Sequence, residues 1–232
     1  MTTMPDTADT DKALAAAAAV AEVRHGMLVG LGTGSTATHA IRALGERVAA
    51  GLGVRAVATS HASDALARRL GIAMLDFADV PRVDLTIDGA DAIDARLFAV
   101  KGAGGAMLRE KVVAAASDRM VVIADGSKRV AAIGAARVPV PVELLPFARA
   151  SLLAALGEGA TLRMQDAAPY ATDNGNWIAD CRFALDDPAG TAAWLDAIPG
   201  VLGHGLFLSE VDAAYIADHG VVSRLERAGP SR

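Results

Sequence analysis

Strand-like and helix-like segments alternate through the first half of the chain, and this alternation constrains the fold more than any other feature. Apolar runs typical of strands lie at Met27–Gly32, Val54–Thr59, Leu85–Asp88 and Met120–Ala124. One helix-like segment lies before them, near 11–24, and others lie between them, near 35–50, 62–70 and 105–117. Strands that are apolar on both faces and separated by helices form parallel sheets with helices on both sides. The pattern predicts an α/β domain with a doubly wound, mostly parallel, Rossmann-like sheet.

The sequence changes character near residue 131, where a second unit is predicted to begin. Because proline lacks the ladder donor, the segment Val138–Val142, with prolines at 139 and 141, is expected to be an edge strand or a linker and not a central strand. Asp173–Asn176 is typical of a hairpin turn. The remaining segments suggest a helix near 146–156, strands near 160–165 and 176–184, a helix near 189–197 and a strand at Val201–Phe207. This order predicts a smaller α+β, ferredoxin-like domain.

The chain of 232 residues has room for one large and one small domain, since domains average roughly 150 residues. In the C-terminal part we expect a strand at Ala213–Ala217 and a short helix at Val221–Arg227, both returning to the first domain. The predicted domains are 1–131 plus 206–232 for the Rossmann-like catalytic domain, and 132–205 for the small one. Residues 1–8 are expected to be a disordered end.

Composition excludes several classes of partner and site. Apolar residues make up 53% of the chain, and 22 Lys and Arg against 27 Asp and Glu give a net charge of −5, with no basic cluster to bind nucleic acid. The single cysteine, Cys181, excludes a disulfide framework and fits a reducing compartment, so a cytoplasmic location is expected. The apolar run Ala13–Ala21 follows acidic residues and is too short to span a bilayer, so neither an export signal nor a membrane anchor is predicted.

The first of four loops with chemical character is Gly30–Thr36, between a strand and a helix. Backbone amides, hydroxyls and a helix N-terminus converge there, as a phosphate group requires. A dinucleotide site is not expected, because Ser35 replaces the third glycine of that fingerprint and no acidic residue follows the second strand. The alternative is a tight turn in which Ser35 caps the helix.

The other three loops carry charged residues. Asp88-Gly89-Ala90-Asp91 could bind sugar hydroxyls or move protons, or could only shape a turn. In Lys101–Lys111, a straight helix would separate Lys101 from Glu110 by about 13 Å, but the glycines favour a bent loop that brings them together. The alternative for Arg109–Lys111 is a solvated helix face.

Lys128 follows the fourth strand, where it could be a ligand or an ordinary surface lysine. Two acids could also attract a divalent cation, yet the histidines are scattered singly and no metal-ligand spacing is present. Since all four loops follow parallel strands, they are expected to face one crevice.

The chain resembles ribose-5-phosphate isomerase of type A. The resemblance covers nearly the whole chain in order, and the matching segments are Gly30–Thr36, Asp84–Asp91, Lys101–Lys111, Val122–Lys128, Val138–Glu143, Thr172–Asn176, Ile198–Val201 and Gly205–Phe207. It implies interconversion of the aldose ribose 5-phosphate and the ketose ribulose 5-phosphate, a step of the non-oxidative pentose phosphate pathway, with no metal and no cofactor.

The resemblance also implies roles for individual residues. Glu110 would be the general base, carrying a proton between C2 and C1 through a cis-enediolate, and Lys101 would stabilise the negative oxygen. Asp88 and Asp91 would bind hydroxyls and assist proton transfer, and Lys12 is a further candidate ligand. The substrate-binding residues implied are Thr33, Gly34, Ser35, Thr36, Asp88, Gly89, Ala90, Asp91, Lys101, Gly102, Ala103, Gly104 and Lys128.

Two residues depart from the family pattern, and other functions stay open at this point. Ala92 stands where the family has an acid, and Ala103 stands where it has a glycine. The alternatives are a non-catalytic domain that senses sugar phosphates, an acyl transfer enzyme using coenzyme A, and a lactonase or amino-sugar deaminase of the same superfamily. By resemblance, a homodimer or homotetramer is expected.

Overall fold

The computed structural model describes residues 7–227. The helices are α1 (Thr7–Val20), α2 (Ser35–Ala49), α3 (His61–Arg69), α4 (Met107–Ala115), α5 (Arg149–Leu156) and α6 (Pro188–Asp196). The strands are β1 (Leu28–Leu31), β2 (Arg55–Ala58), β3 (Ala73–Met74), β4 (Leu85–Gly89), β5 (Ala92–Ile93), β6 (Ala99–Val100), β7 (Met120–Asp125), β8 (Val140–Leu144), β9 (Ala160–Leu162), β10 (Met164–Gln165), β11 (Ala168–Pro169), β12 (Trp177–Cys181), β13 (Val201–His204), β14 (Leu206–Phe207), β15 (Ala213–Asp218) and β16 (Val221–Glu226).

The larger sheet has seven strands in the order β3-β2-β1-β4-β7-β15-β16. Neighbouring strands from β3 to β15 run parallel, and β16 at the edge is antiparallel. Successive residues of β7 point to opposite faces, so Val121 and Ile123 pack with α1 and α2, whereas Met120 and Val122 pack with α4. This confirms the predicted doubly wound sheet. Its strand order reverses between β1 and β4, which places a crevice at their carboxyl ends.

The smaller sheet is antiparallel, with four strands in the order β13-β8-β12-β9. Along the chain its elements follow as β8-α5-β9-β12-α6-β13, which is the ferredoxin-like arrangement expected from the sequence. Leu144 of β8, Leu152 of α5 and Leu195 of α6 share one buried cluster. Strands β5, β6 and β14 form a third, small sheet, and its Phe207 packs with the large sheet's cluster while Leu206 packs with the small sheet's cluster.

The expectation that the proline-rich segment is not a central strand is wrong. Strand β8 contains Pro141 and pairs with both β12 and β13. The carbonyl of Pro141 accepts a hydrogen bond from the Gly205 amide at 2.8 Å, so its nitrogen also faces the β13 side. Strand β13 pairs with β8 only as far as His204, so Gly205, which lies beside Pro141, is beyond the paired part of β13. The donor that Pro141 lacks therefore leaves no bond of the β13–β8 ladder unmade.

The helix predicted at Val221–Arg227 is also wrong, because Val221–Glu226 forms the edge strand β16. A two-residue turn joins it to β15, with φ of 49° at His219 and 82° at Gly220. Positive φ at both positions is typical of the hairpin turns that match strand twist. The carboxylate of Asp11 accepts both turn amides at 3.0 and 2.8 Å, and this tertiary contact is not visible in the local sequence.

Smaller boundary differences also occur. The strand predicted near 160–165 is divided into β9 and β10, and β10 pairs in a separate hairpin with β11. The expected disordered end is partly wrong, since α1 begins at Thr7, and residues 1–6 of that prediction lie outside the described residues. The domain boundaries 1–131 plus 206–232 and 132–205 stay a prediction.

Candidate active site

A pocket of about 290 Å³ opens at the carboxyl ends of the parallel strands. Residues from all four loops singled out in the sequence line it, and α1 adds Lys12. The lining residues are Lys12, Thr33, Gly34, Ser35, Thr36, Gly89, Ala90, Asp91, Lys101, Gly102, Ala103, Gly104, Glu110 and Lys128. The structure thus brings together the predicted site residues, with Asp88 buried directly behind the pocket wall.

One end of the pocket is built from the β1–α2 loop. Gly34, with φ of 108°, occupies the N-cap position of the helix, and no side chain of residues 7–227 makes a capping bond there, so the capping role considered for Ser35 is wrong. The first-turn amides lack the usual side-chain acceptor, and Lys12 and Lys128 form no ion pair within residues 7–227. Amides at a helix N-terminus beside two cations are suited to hold an anion.

Gly32 has a different role from a nucleotide-binding glycine. A Cβ atom on Gly32 would lie 1.9 Å from Oδ1 of Asp88, so the β1–α2 loop and the Asp88 carboxylate can approach each other only at a glycine. The same Oδ1 accepts the amides of Thr33 at 3.0 Å and Gly89 at 2.7 Å. The loop therefore fixes the orientation of Asp88.

The other end of the pocket holds three buried charged groups. Nζ of Lys101 lies 2.9 Å from Oδ2 of Asp88 and 3.2 Å from Oε2 of Glu110, and it donates to the Gly89 carbonyl. None of the three residues is more than 3% exposed. Because α4 begins only at Met107, the bent segment before it brings the two ends of Lys101–Glu110 together, as predicted.

Burial and charge shift the pKa of each of these groups. Burial, together with the Asp88 charge, raises the pKa of Glu110 to about 8, against the opposing effect of Lys101. Burial also raises the pKa of Asp88, although Lys101 opposes this. For Lys101, burial lowers the pKa, but the carboxylates of Asp88 and Glu110 outweigh it and the net shift is upward. One ammonium is thus shared by two carboxyl groups, of which Glu110 faces the pocket.

Asp91 and Ala103 line the pocket, whereas Ala92, the other departure from the family pattern, lies in the core. Oδ2 of Asp91 accepts the Ala103 amide at 2.8 Å. Ala103 does not have a positive φ, unlike Gly102 at 104°, so an alanine is tolerated there. Ala92 is buried in β5, where it packs in the cluster of the small sheet together with Val100. Its methyl group belongs to the core rather than to the pocket.

The alternative that Arg109–Lys111 is a solvated helix face is wrong. Glu110 is buried in the pocket wall, and Lys111 donates to the Leu206 carbonyl at 2.5 Å. Arg109 donates to Oδ1 of Asn174 at 2.7 Å and to the carbonyl of Asp173 at 2.9 Å. Each of the three charged residues therefore has a fixed partner.

Several residues at the site were missed by the sequence analysis. Arg163 and Tyr170 contact the carbonyls of Gly102–Gly104, and Glu143 binds the turn that holds Arg109. Arg163 and Tyr170 lie outside every recognised motif, so no local signal points to them. Glu143 and the turn were recognised as sequence features, but not as partners of each other.

Within residues 7–227, no group of three or more His, Cys, Asp and Glu side chains is arranged to hold a metal ion. Over the same range, no helix is both long and apolar enough to cross a membrane.

Comparisons with known proteins agree closely with one another. The sequence model of the family described as ribose 5-phosphate isomerase A (phosphoriboisomerase A) matches residues 55–220. A ribose-5-phosphate isomerase A from Sphingopyxis alaskensis is 52% identical over 213 residues, covering 89% of this chain and 92% of that protein. A solved D-ribose-5-phosphate isomerase in complex with phospho-erythronic acid superposes with a TM-score of 0.91 at 33% identity, covering 95% and 99% of the two chains. The isomerase from Methanocaldococcus jannaschii gives a TM-score of 0.89 at 36% identity, covering 94% and 99%.

Proposed function

Because the chain belongs to the ribose 5-phosphate isomerase A family and interconverts ribose 5-phosphate and ribulose 5-phosphate, we propose that Glu110 is its catalytic base. The observation that carries this proposal is the Lys101 ammonium shared by Asp88 and Glu110 at the pocket wall. The alternatives considered from the sequence are not favoured, since relatives at 44–52% identity are named ribose-5-phosphate isomerase A.

In the proposed reaction, the ionised Glu110 takes the proton from C2 of the open-chain aldose. The C–H electron pair forms the C1–C2 double bond, and the carbonyl pair moves onto O1, giving a cis-enediolate. Glu110 then returns the proton to C1, while the hydroxyl proton on O2 passes to O1 and C2 becomes the carbonyl. A carboxyl with a pKa raised to about 8 can both accept and donate this proton near neutral pH.

Lys101 supports the proposed chemistry by its charge. The ammonium lies at the pocket wall, where the enediolate oxygen would form, and it is fixed before substrate binds. Asp88 has its carboxylate occupied by Lys101 and two backbone amides, so we assign it to holding Lys101. Asp91 faces the pocket and is the better candidate to contact substrate hydroxyls.

The end of the pocket that is built from the β1–α2 loop is proposed to hold the substrate phosphate. The first-turn amides of α2, which have no side-chain acceptor within residues 7–227, lie there with Ser35, Thr36 and the ammonium groups of Lys12 and Lys128. Thr33 also lines this end, but its hydroxyl lies 2.8 Å from that of Thr59. Gly89, Ala90 and Gly102–Gly104 would line the sugar between the two ends. A relative bound to phospho-erythronic acid, a phosphorylated sugar acid, supports a site for such a ligand.

The test is conversion of ribose 5-phosphate to ribulose 5-phosphate by purified protein in excess chelator, with Glu110→Gln beside the wild type. Loss of a general base typically costs about 10²–10⁴ in rate, so turnover of the variant should fall by that factor. Glu158→Gln, an exposed glutamate away from the pocket, is the matched control and should retain full turnover. Binding of ribose 5-phosphate by Glu110→Gln, measured by calorimetry, should survive. Wild-type turnover in Glu110→Gln would remove Glu110 from the role of base.

Three further proposals concern location, assembly and domain organisation, and of these only the assembly rests on the family. We propose that the protein works in the cytoplasm, that it forms a homodimer or homotetramer, and that residues 132–205 form a separate domain. The last is supported by the four-stranded sheet, whose strands lie between residues 140 and 204.

A further inference from the structure

The loop Lys101–Gly105 lines the pocket. Side chains of the ferredoxin-like unit bind three successive carbonyls of this loop. Nη1 of Arg163 donates to the carbonyls of Gly102 at 3.0 Å and Ala103 at 3.1 Å. The Tyr170 hydroxyl donates to the carbonyl of Gly104 at 3.3 Å. The back of the pocket loop is therefore held from outside the catalytic sheet.

Arg163 is itself rigidly held. Its Nε and Nη2 pair with the Asp180 carboxylate on β12 at 2.9 and 2.5 Å. The backbone amide of Arg163 donates to the Ile178 carbonyl at 2.7 Å, and its carbonyl accepts from the backbone amide of Tyr170 at 2.9 Å. Its side chain is 15% exposed. A guanidinium with these partners has one defined position before substrate arrives.

Arg163 contributes to the direction of the loop amides, together with the Gly105 amide, which donates to the same Gly102 carbonyl at 2.9 Å. In a trans peptide group the carbonyl and the following N–H point in opposite directions. With the Gly102 carbonyl turned to Arg163, the Ala103 N–H points the other way and donates to Asp91. With the Ala103 carbonyl also turned to Arg163, the Gly104 N–H points away from the small sheet. This amide has no hydrogen-bond partner within residues 7–227, and Gly104 lines the pocket.

We propose that Arg163 is a positioning residue for the isomerisation, which orients the Ala103 and Gly104 peptide groups toward Asp91 and the substrate. The proposal rests on the proposed pocket and reaction. It gives the small ferredoxin-like unit a part in catalysis, since a side chain outside the catalytic sheet fixes one wall of the site. Misplacement of a wall by about 1 Å can cost 10²-fold in rate.

Steady-state kinetics of Arg163→Lys test the proposal. Lysine keeps the positive charge, but its point charge cannot pair with Asp180 and span two carbonyls at once. We expect kcat/KM for ribose 5-phosphate to fall by about 10–100-fold, mostly through kcat. Inhibition by inorganic phosphate should be unchanged, because the phosphate end of the pocket does not contact Arg163. Arg182→Lys, at an exposed arginine immediately after β12 and away from the loop, should match the wild type in both measurements.

Two further variants keep the test decisive if Arg163→Lys folds poorly in a thermal melt. Asp180→Asn leaves the guanidinium present but weakens its anchor, so kcat should fall less than in Arg163→Lys while phosphate inhibition stays unchanged. Arg163→Ala should recover part of its kcat on addition of guanidinium ion, which a general loss of folding would not allow. Wild-type kcat and KM in folded Arg163→Lys, or in Asp180→Asn if that variant alone folds, would overturn the proposal. Absence of turnover in the wild type would instead overturn the proposed function.

Discussion

Glu110 and Glu143 are both buried carboxyl groups, but their partners differ in kind. Glu143, on β8, is fully buried, and its Oε1 accepts from Thr172 Oγ1 at 2.9 Å and from the side-chain amides of Asn174 and Asn176 at 3.0 and 2.9 Å. Glu110 is almost as deeply buried, yet it faces an ammonium that it shares with the competing carboxylate of Asp88.

The difference shows that the partners of a buried carboxyl group, and not its burial alone, decide what it can do. Three neutral donors fixed on one turn tie Glu143 to that turn, and all three would lose their acceptor if it moved. Burial and the neighbouring Asp88 charge raise the pKa of Glu110 to about 8, because Lys101 compensates them only in part, so a proton can come and go. One glutamate fastens a loop, and the other is suited to proton transfer.

The largest effect is expected from removing the cation that Glu110 and Asp88 share. Lys101→Met leaves two buried carboxyl groups without their cation, and breaking a buried pair typically costs about 3–5 kcal/mol of stability. It also removes the charge that would stabilise the enediolate, so kcat should fall by about 10²–10³. Turnover and urea unfolding of the same preparation measure both. A stable variant with wild-type kcat would show that the cluster is not catalytic.

Removing the other glutamate should separate stability from chemistry. Glu143→Ala deprives Thr172, Asn174 and Asn176 of their common acceptor, and the free energy of unfolding should fall by about 2–4 kcal/mol. The kcat measured well below the melting temperature should fall far less than in Glu110→Gln. Equal losses of kcat in the two variants would contradict the division of roles drawn from their partners.

The position of the pocket could be anticipated from the sequence, whereas its support from the small sheet could not. Asp88 lies near the end of a strand of the parallel sheet, and Asp91 and Lys128 follow strands of that sheet. Because the carboxyl ends of such strands share an edge, their proximity follows from periodicity alone. Arg163 reaches Gly102 across about sixty residues of sequence, and no periodic pattern encodes that contact. The two wrong secondary-structure predictions have a related reason, since both depend on contacts distant in sequence. Pro141 fits a central strand because the neighbouring strand ends beside it, and Val221–Glu226 forms a strand because Asp11 holds the turn before it.

The raised pKa of Glu110 predicts that replacing this residue by the neutral glutamine increases the free energy of unfolding in a pH-dependent way. A carboxyl whose pKa is higher in the folded state contributes stability that is complete below about pH 4.5 and is lost as pH rises through about 8. Glu110→Gln does not undergo this loss. Its free energy of unfolding should equal that of the wild type near pH 4 and exceed it at pH 9. Chemical denaturation at the two pH values measures the difference, and a gap independent of pH would contradict the assignment.

The smallest predicted effect tests whether the two glutamates are independent, because Asn174 donates to Glu143 and accepts from Arg109, the neighbour of Glu110. Thr172→Val keeps the shape of the side chain but removes one donor to Glu143, so the free energy of unfolding should fall by about 1 kcal/mol. If the turn only fastens the small sheet to α4, kcat should not change. The control is a variant elsewhere in the protein that is destabilised by the same amount. A larger fall in kcat in Thr172→Val than in that control would mean that a displaced turn shifts Glu110 through Asn174 and Arg109. Glu143 would then act on the catalytic base.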